Sequence, residues 1–287
     1  MKNLTETDLE FALSEVIKPK DDVVWIASAI WTFGPRFAAP TNEIGPRILN
    51  TLLNFLGKHQ TLIISSYTSA FSKTQIYDLI KSKPETGILP NLALKHSSFQ
   101  RSHNPINNYL VTGPRSKDIL SKANQVFWSD TGFMGWVEKN NIRICMIGVP
   151  WHEGCSLYHR AEEKFKVPYR YYKCFKGTLM KDNETIGPCE ETLLVYPKNI
   201  PPIYNWNQIR PLLPKFGEIL TSTNPIIFAE STLAKPIINA TESILRNNTF
   251  GLLQNNAEIE KWVDTNKANE INQLEKDQQS PFNDVRK

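Results

Sequence analysis

The chain has 287 residues, 40% hydrophobic and 10% aromatic, enough for one large domain or two modest ones with a sizeable core. Its 33 Lys and Arg against 29 Asp and Glu leave a net charge of +4, scattered along the chain. That excludes the dense basic stripe of a nucleic-acid surface but permits a local positive site for a phosphorylated ligand.

The N-terminal MKNLTETDLEFALSEVIKPKDD is acidic and lacks an apolar h-region, so no signal peptide is expected. No apolar run reaches the roughly 18–20 residues that span a bilayer. A cytoplasmic protein with no membrane or nucleic-acid partner follows as the expectation. VVWIASAI (23–30) reads as a buried strand rich in β-branched residues. IGPRILNTLLNFLG (44–57) has helical apolar spacing and a glycine stop. TLIISSY (61–67) is a second buried strand, and TQIYDLIKS (74–82) reads as a short helix. NYLVTG (108–113) and IRICMIGV (142–149) are two further strands, with SKDILSKA (116–123) a helix between them. Ser156 to Phe165 is helical, with His159 in its middle. TLLVYP (192–197) suits a late strand, and NWNQIRPLLPKFGEIL (205–220) a late helix interrupted by proline. Strands alternating with helices predict an α/β domain with helices on both faces of a sheet. Residues 1–255 are expected to form that single domain, and 256–287 a polar tail, helical and then disordered.

The chemistry is concentrated in residues 148–177, GVPWHEGCSLYHRAEEKFKVPYRYYKCFKG. The strand ending near Val149 runs into PWHEGCS, at the strand end where open α/β sheets place ligands. On the following helix His159 neighbours either Glu162 or Glu163, three and four residues on. A carboxylate beside imidazole fixes its tautomer and equips it to take a proton from a nucleophile. On spacing alone the same residues also suit a partly exposed polar helix. A zinc site is disfavoured: His152 and His159 lie seven apart, not in HExxH, and no third ligand is evident. Cys145, Cys155, Cys174 and Cys189 form no CxxC pair and no zinc pattern. Cys155, near the start of the His159 helix, is the one position where a thiolate would be stabilised, though a small residue lining the site is the commoner role.

Several collinear segments resemble the aminoglycoside 3-N-acetyltransferase family, including its relatives in bacterial surface-polysaccharide clusters. They are IASAIWTFG (26–34), GKHQTLIISSYTSAF (57–71), ETGILP (85–90), RSHNPINNYLVTG (101–113) and the HxAE and VPYR segments of 148–170. The resemblance runs from about Val23 to Gly177. It implies an α/β/α sandwich unrelated to the common small acetyltransferase fold. It implies acetyl-coenzyme A as co-substrate, an amine on a sugar ring as acceptor, and no metal. It makes His159 the general base, with Glu162 beside it. The coenzyme is expected along the first loop, at Ser28, Ala29, Trp31, Thr32, Gly34 and Arg36, with Thr131 contributing a hydroxyl. Acceptor contacts are expected from Arg101, His103, Asn104, Trp151, Arg170 and Lys173.

Two positions depart from the family's pattern. Its His-Pro is Asn104-Pro105 here, with His103 one place earlier, and its following Ser is Asn108. Both bear on the acceptor side. Arg101, Arg160, Arg170 and Lys173 give the site segments a basic character, which suits the diphosphate of a nucleotide-linked amino sugar for a surface glycan. An aminoglycoside-modifying resistance enzyme is the alternative, and a non-catalytic binding protein on the same scaffold a third.

Overall fold

The buried apolar runs become neighbouring strands in the computed structural model, which describes residues 3–123, 126–197 and 200–266. Ten strands follow in chain order: Val23–Ser28 (β1), Thr61–Ser65 (β2), Ile76–Asp78 (β3), Gln100–Arg101 (β4), Tyr109–Thr112 (β5), Arg143–Ile147 (β6), Tyr171–Lys181 (β7), Glu184–Val195 (β8), Leu220–Thr221 (β9) and Ala229–Leu233 (β10). Seven form one sheet in the order β4-β5-β2-β1-β6-β10-β9. At its centre β1 pairs parallel with β2 and β6, and the outer strands add antiparallel. A smaller sheet, β3-β7-β8, joins the long β7–β8 hairpin to β3.

The pleat sends alternate side chains to opposite faces, and here each face has its own core. Val23, Trp25, Ile63, Ile144 and Met146 pack on one side. Val24, Ile26, Leu62, Ile64, Cys145 and Ile147 pack on the other. A central strand buried on both faces cannot alternate with polar residues, which is why these runs read as continuously apolar. Helices Glu6–Val16 and Thr41–Leu56 cover the second core. Helices Phe133–Asn140, Tyr158–Phe165 and Ala234–Asn247 cover the first. The result is the α/β/α sandwich expected. Gly57, at φ +63°, ends the second helix where the sequence placed its stop.

Two assignments are corrected. Residues 74–82 do not form a helix: Ile76–Asp78 is β3, paired parallel with β7. Asp78 then accepts the amides of Ile80 and Lys81 at 2.8 and 3.0 Å, a side-chain turn that competes with helix. Residues 205–220 hold two 3₁₀ segments, Trp206–Gln208 and Arg210–Lys215, because Pro211 and Pro214 cannot donate to a helix ladder. The stretch beginning at Asn256 is a helix to Asn266, and its Ile259 and Val263 are buried in the first core. The expected disordered end lies outside the described residues. No helix among the described residues is long and apolar enough to cross a membrane.

Candidate active site

The C-terminal ends of β1, β2 and β6 meet at one edge of the sheet because the three strands run parallel. A cavity of about 350 Å³ opens there. Ser28 ends β1, Ser65 ends β2, and both line it, together with Tyr67, Thr86, Ser156 and His159. The chain leaves β6 through Gly148 at φ +68°, where an added Cβ would meet the Ala29 carbonyl at 2.7 Å. Only glycine lets the two loops approach this closely. The Thr32 hydroxyl bridges them, donating to the carbonyls of Ala29 and Gly148 at 2.7 and 3.1 Å.

His159 stands on the helix Tyr158–Phe165 with 27% of its side chain exposed. Its Nδ1 lies 2.5 Å from Oε2 of Glu162, whose side chain has no exposed surface. Helical geometry settles which glutamate serves: Glu162 turns to His159, while Glu163 binds Arg160 at 2.6 Å and Tyr172 at 2.8 Å. The other Glu162 oxygen accepts the hydroxyls of Tyr169 and Tyr204 at 2.9 and 2.8 Å. Arg170 Nε lies 3.1 Å from Oε2 and also donates to the Tyr204 hydroxyl at 2.8 Å. Trp128 and Trp206 set their rings edge-on to the imidazole, both with centroids at 5.4 Å, and Trp206 stacks on Tyr204 at 4.0 Å.

Burial raises the Glu162 carboxyl, but the charge of Arg170 and the bonds from His159 and Tyr204 outweigh it and bring the pKa down to about 2. Glu162 is therefore an anion, and Nδ1 of His159 carries the proton it accepts. Burial first, then the Arg170 charge, hold the imidazole below the ordinary histidine value despite Glu162 pulling the other way. At neutral pH the ring is uncharged, with Nε2 left as a bare, basic nitrogen.

Cys155 lines the same cavity, yet burial pushes its thiol up to about 12, so it is no thiolate. The helix start does not offset that burial. Among the described residues, no group of three His, Cys, Asp or Glu side chains could hold a metal ion.

The remaining expected site residues divide. Ser28 lines the cavity, and Ala29 and Thr32 build the loop beside it. Gly34 is buried between two 3₁₀ turns, whereas Trp31 (72% exposed), Arg36 and Thr131 lie at the surface. The basic residues do not form an open anion site. Arg101 is buried, donating to Asn108 Oδ1 at 2.9 Å and to the carbonyls of Ser82 and Ser66 at 2.5 and 3.0 Å. Arg160 is buried among Asp130, Glu138, Glu163 and the Trp128 carbonyl. Arg170 is consumed by Glu162, Tyr204 and the Leu194 carbonyl. A buried guanidinium needs partners, and these three have found them inside the protein. Lys173 on β7 sits 5.2 Å from the Phe175 ring. Trp151 is also internal, its indole donating to Glu230 at 2.7 Å. His103 and the buried Asn104 line a separate cavity of about 500 Å³. Asn108, the other departure, is a framework residue that ties Ser66, Thr68 and Arg101 together.

Tyr169, Tyr204, Trp206 and Trp128 were not among the expected site residues. Tyr169 had a signal, since it lies in the VPYR segment beside Arg170. Tyr204 and Trp206 follow in the proline-rich IPPIYNW, far along the chain, and no spacing rule links them to His159.

Residues 39–206 match the family model described as aminoglycoside 3-N-acetyltransferase. Among solved structures the chain is similar to the aminoglycoside acetyltransferase AAC(3)-IVa apoenzyme, at 16% identity over 88% of this chain and 92% of that one, TM-score 0.67. It is similar to AAC-IIIb in a binary complex with CoASH, at 14% identity over 85% and 97%, TM-score 0.69. It is also similar to the YokD protein from Bacillus subtilis, at 11% identity over 87% and 96%, TM-score 0.69. At these identities the likeness is one of fold. No curated protein matches the sequence significantly.

Proposed function

The chain belongs to the aminoglycoside 3-N-acetyltransferase family, and we propose that it moves the acetyl group of acetyl-coenzyme A onto an amine of an aminoglycoside-type amino sugar. The observation that carries this is the His159–Glu162 pair, at 2.5 Å, set at the mouth of the cavity where β1, β2 and β6 end. An ammonium has no lone pair, so the acceptor reacts as the free amine after giving one proton to solvent. As that amine attacks the thioester carbonyl, its nitrogen becomes acidic, and Nε2 of His159 takes the second proton. The new C–N bond gives a tetrahedral oxyanion. The hydroxyls of Tyr67 and Ser156, 2.9 Å apart on the cavity wall, are the donors suited to it. Collapse breaks the C–S bond, and the leaving thiolate recovers the proton from the imidazolium. Glu162 stabilises that imidazolium, and no acyl-enzyme is needed.

The acceptor class rests on charge. A nucleotide-linked sugar drew its support from Arg101, Arg160, Arg170 and Lys173; the three arginines are buried and paired, and Lys173 is half-buried over the Phe175 ring. Glu153, by contrast, lines the cavity with its side chain 63% exposed, which favours a cationic acceptor. Among similar structures, AAC(3)-IVa has been solved with a gentamicin and with apramycin, and AAC-VIa with sisomicin. The test is thiol release from acetyl-coenzyme A with a panel of aminoglycosides, free amino sugars and amino-sugar nucleotides. Turnover with aminoglycosides is expected. Turnover confined to nucleotide-linked sugars would reject the reading and return the protein to surface-glycan synthesis. Coenzyme binding without turnover of any acceptor would mark it as a binding protein.

A further inference from the structure

Residues 201–208, PPIYNWNQ, cross the site as a strap. Apart from the 3₁₀ turn Trp206–Gln208 they belong to no helix or strand, so their backbone groups need outside partners. They find them in residues 251–255. The amide of Asn205 donates to the Leu252 carbonyl at 2.8 Å, and the amide of Gln254 to the Ile203 carbonyl at 2.7 Å. Asn255 fixes one end of the strap: its Oδ1 accepts the Ile203 amide at 2.9 Å, and its Nδ2 donates to the Pro201 carbonyl at 3.3 Å. Gln208 fixes the other, donating to the Gly251 carbonyl at 2.9 Å. Pro201 and Pro202 narrow the backbone freedom of the chain that enters it.

Held in this way, the strap presents two rings to the catalytic pair. Tyr204 donates to Oε1 of Glu162 at 2.8 Å. Trp206 lines the reaction cavity and stands edge-on to the imidazole, with centroids 5.4 Å apart. Trp206 is held in turn by near-parallel stacking on Tyr204, at 4.0 Å and 9°, and on the buried Tyr158, at 5.0 Å and 25°. A histidine on a partly exposed helix would otherwise sample several staggered rotamers.

We propose that Tyr204 and Trp206 are positioning residues for the base, aligned by the anchoring of the strap on residues 251–255: Tyr204 fixes the Glu162 carboxylate, and Trp206 restricts the His159 ring and keeps water from it. This role rests on the acetyl-transfer reading above and adds that the base is assembled by chain outside its own motif. A reacting group misplaced by about 1 Å loses on the order of a hundredfold in rate, so a loosened strap is visible in kcat. It is visible in the imidazole as well, because burial is the largest influence lowering its pKa. The charged groups beside the ring are Glu162 and Arg170. Tyr204 faces it from the strap, and His152, Glu153, Cys155 and Tyr67 from the cavity wall. A change at Trp206 leaves all of these in place and alters the hydration of the ring.

The test follows the His159 imidazole by NMR titration of the free full chain, its signal identified by its loss in His159→Asn, beside steady-state thiol release. Trp206→Leu should raise the His159 pKa toward the ordinary 6.5 and lower kcat by about ten- to a hundredfold. KM for acetyl-coenzyme A should stay near wild type. Asn255→Ala, at a position that does not line the cavity, should shift both in the same directions by less. Asn255→Asp, which keeps an oxygen for the Ile203 amide, should restore them. An unchanged titration and kcat in Trp206→Leu overturns the proposal, as does an Asn255→Ala variant equal to wild type. Should Trp206→Leu fail to fold, Tyr204→Phe decides: it keeps the ring and removes the bond to Glu162, and an unchanged kcat refutes the positioning role. A titration that responds to the strap in a protein transferring no acetyl group would sink the reaction and keep the strap. Acetyl transfer with titration and kcat both indifferent to the strap would sink the strap and keep the reaction.

Discussion

Glu162→Gln keeps the shape of the side chain and removes its charge, so it isolates what the carboxylate contributes. The wild-type carboxylate has no exposed surface and receives Tyr169, Tyr204, His159 and Arg170. A glutamine offers one acceptor oxygen in place of two and sets an NH₂ against groups that are themselves donors. Nδ1–H of His159 loses the anion that fixes the tautomer, and the imidazolium formed during transfer loses its counter-charge. The expected fall in kcat is about 10²–10⁴-fold, the usual worth of a general base. Arg170 is left as a buried cation without its partner, which costs about 3–5 kcal/mol of stability. Both effects are read on one protein, by steady-state thiol release and by denaturant unfolding. The pH profile adds a signed test. Because burial and Arg170 lower the His159 pKa, the acid limb of kcat/KM should lie below the ordinary histidine value of 6.5. Glu162 raises that pKa, so the variant's limb should move lower still. The folded Glu162 titrates at about 2 against 4.5 for the free group. Its stabilisation is thus present above pH 4.5 and lost as pH falls toward 2, and the variant should lack that acid dependence. A variant with near-normal kcat, or a wild-type acid limb at or above pH 6.5, would refute the reasoning.

Arg170→Lys should lower kcat while moving the acceptor KM little, because Arg170 meets Glu162 and Tyr204 and does not line the cavity; a selective rise in acceptor KM would return it to acceptor binding. Cys155→Ala should keep most of the activity, since its thiol is held at about 12, and isolation of a competent acetyl-enzyme would overturn direct transfer. Glu191 is fully buried among the amides of Ile106 and Asn107, and burial raises its pKa to about 7 despite those donors. A raised acid favours the folded state below its unfolded value, so this contribution should disappear as pH rises from about 4.5 to about 7. That change is worth roughly 3 kcal/mol. Unfolding midpoints at pH 5 and pH 8 should differ less in Glu191→Gln than in wild type, and an equal difference in both would exclude Glu191 as the source.

Local pattern reached some features of this protein and stopped at others. The central strands were legible because a strand buried on both faces has to be apolar at every position, as in Val23–Ile26, Leu62–Ile64 and Ile144–Ile147. The helix carrying His159 was legible, and with it a neighbouring glutamate three or four residues on, since those positions share a helix face; the fold then chose Glu162. The resemblance supplied the family, and it implies the general-base role proposed for His159. Residues 74–82 were misread because a short apolar run has no period long enough to separate helix from strand, and pairing with β7 decided it. The arginines were misread for a deeper reason. Sequence counts their charge but not their depth. Only the fold set Arg101, Arg160 and Arg170 inside, where desolvation obliges each to take a partner and leaves none for a substrate anion. The same limit hid Tyr204 and Trp206, which reach His159 across more than forty residues of chain. Periodicity was thus enough for the layers, and motif for the family. Which charges face a ligand was settled by folding, because electrostatic strength depends on burial and distance, and neither is written along the chain.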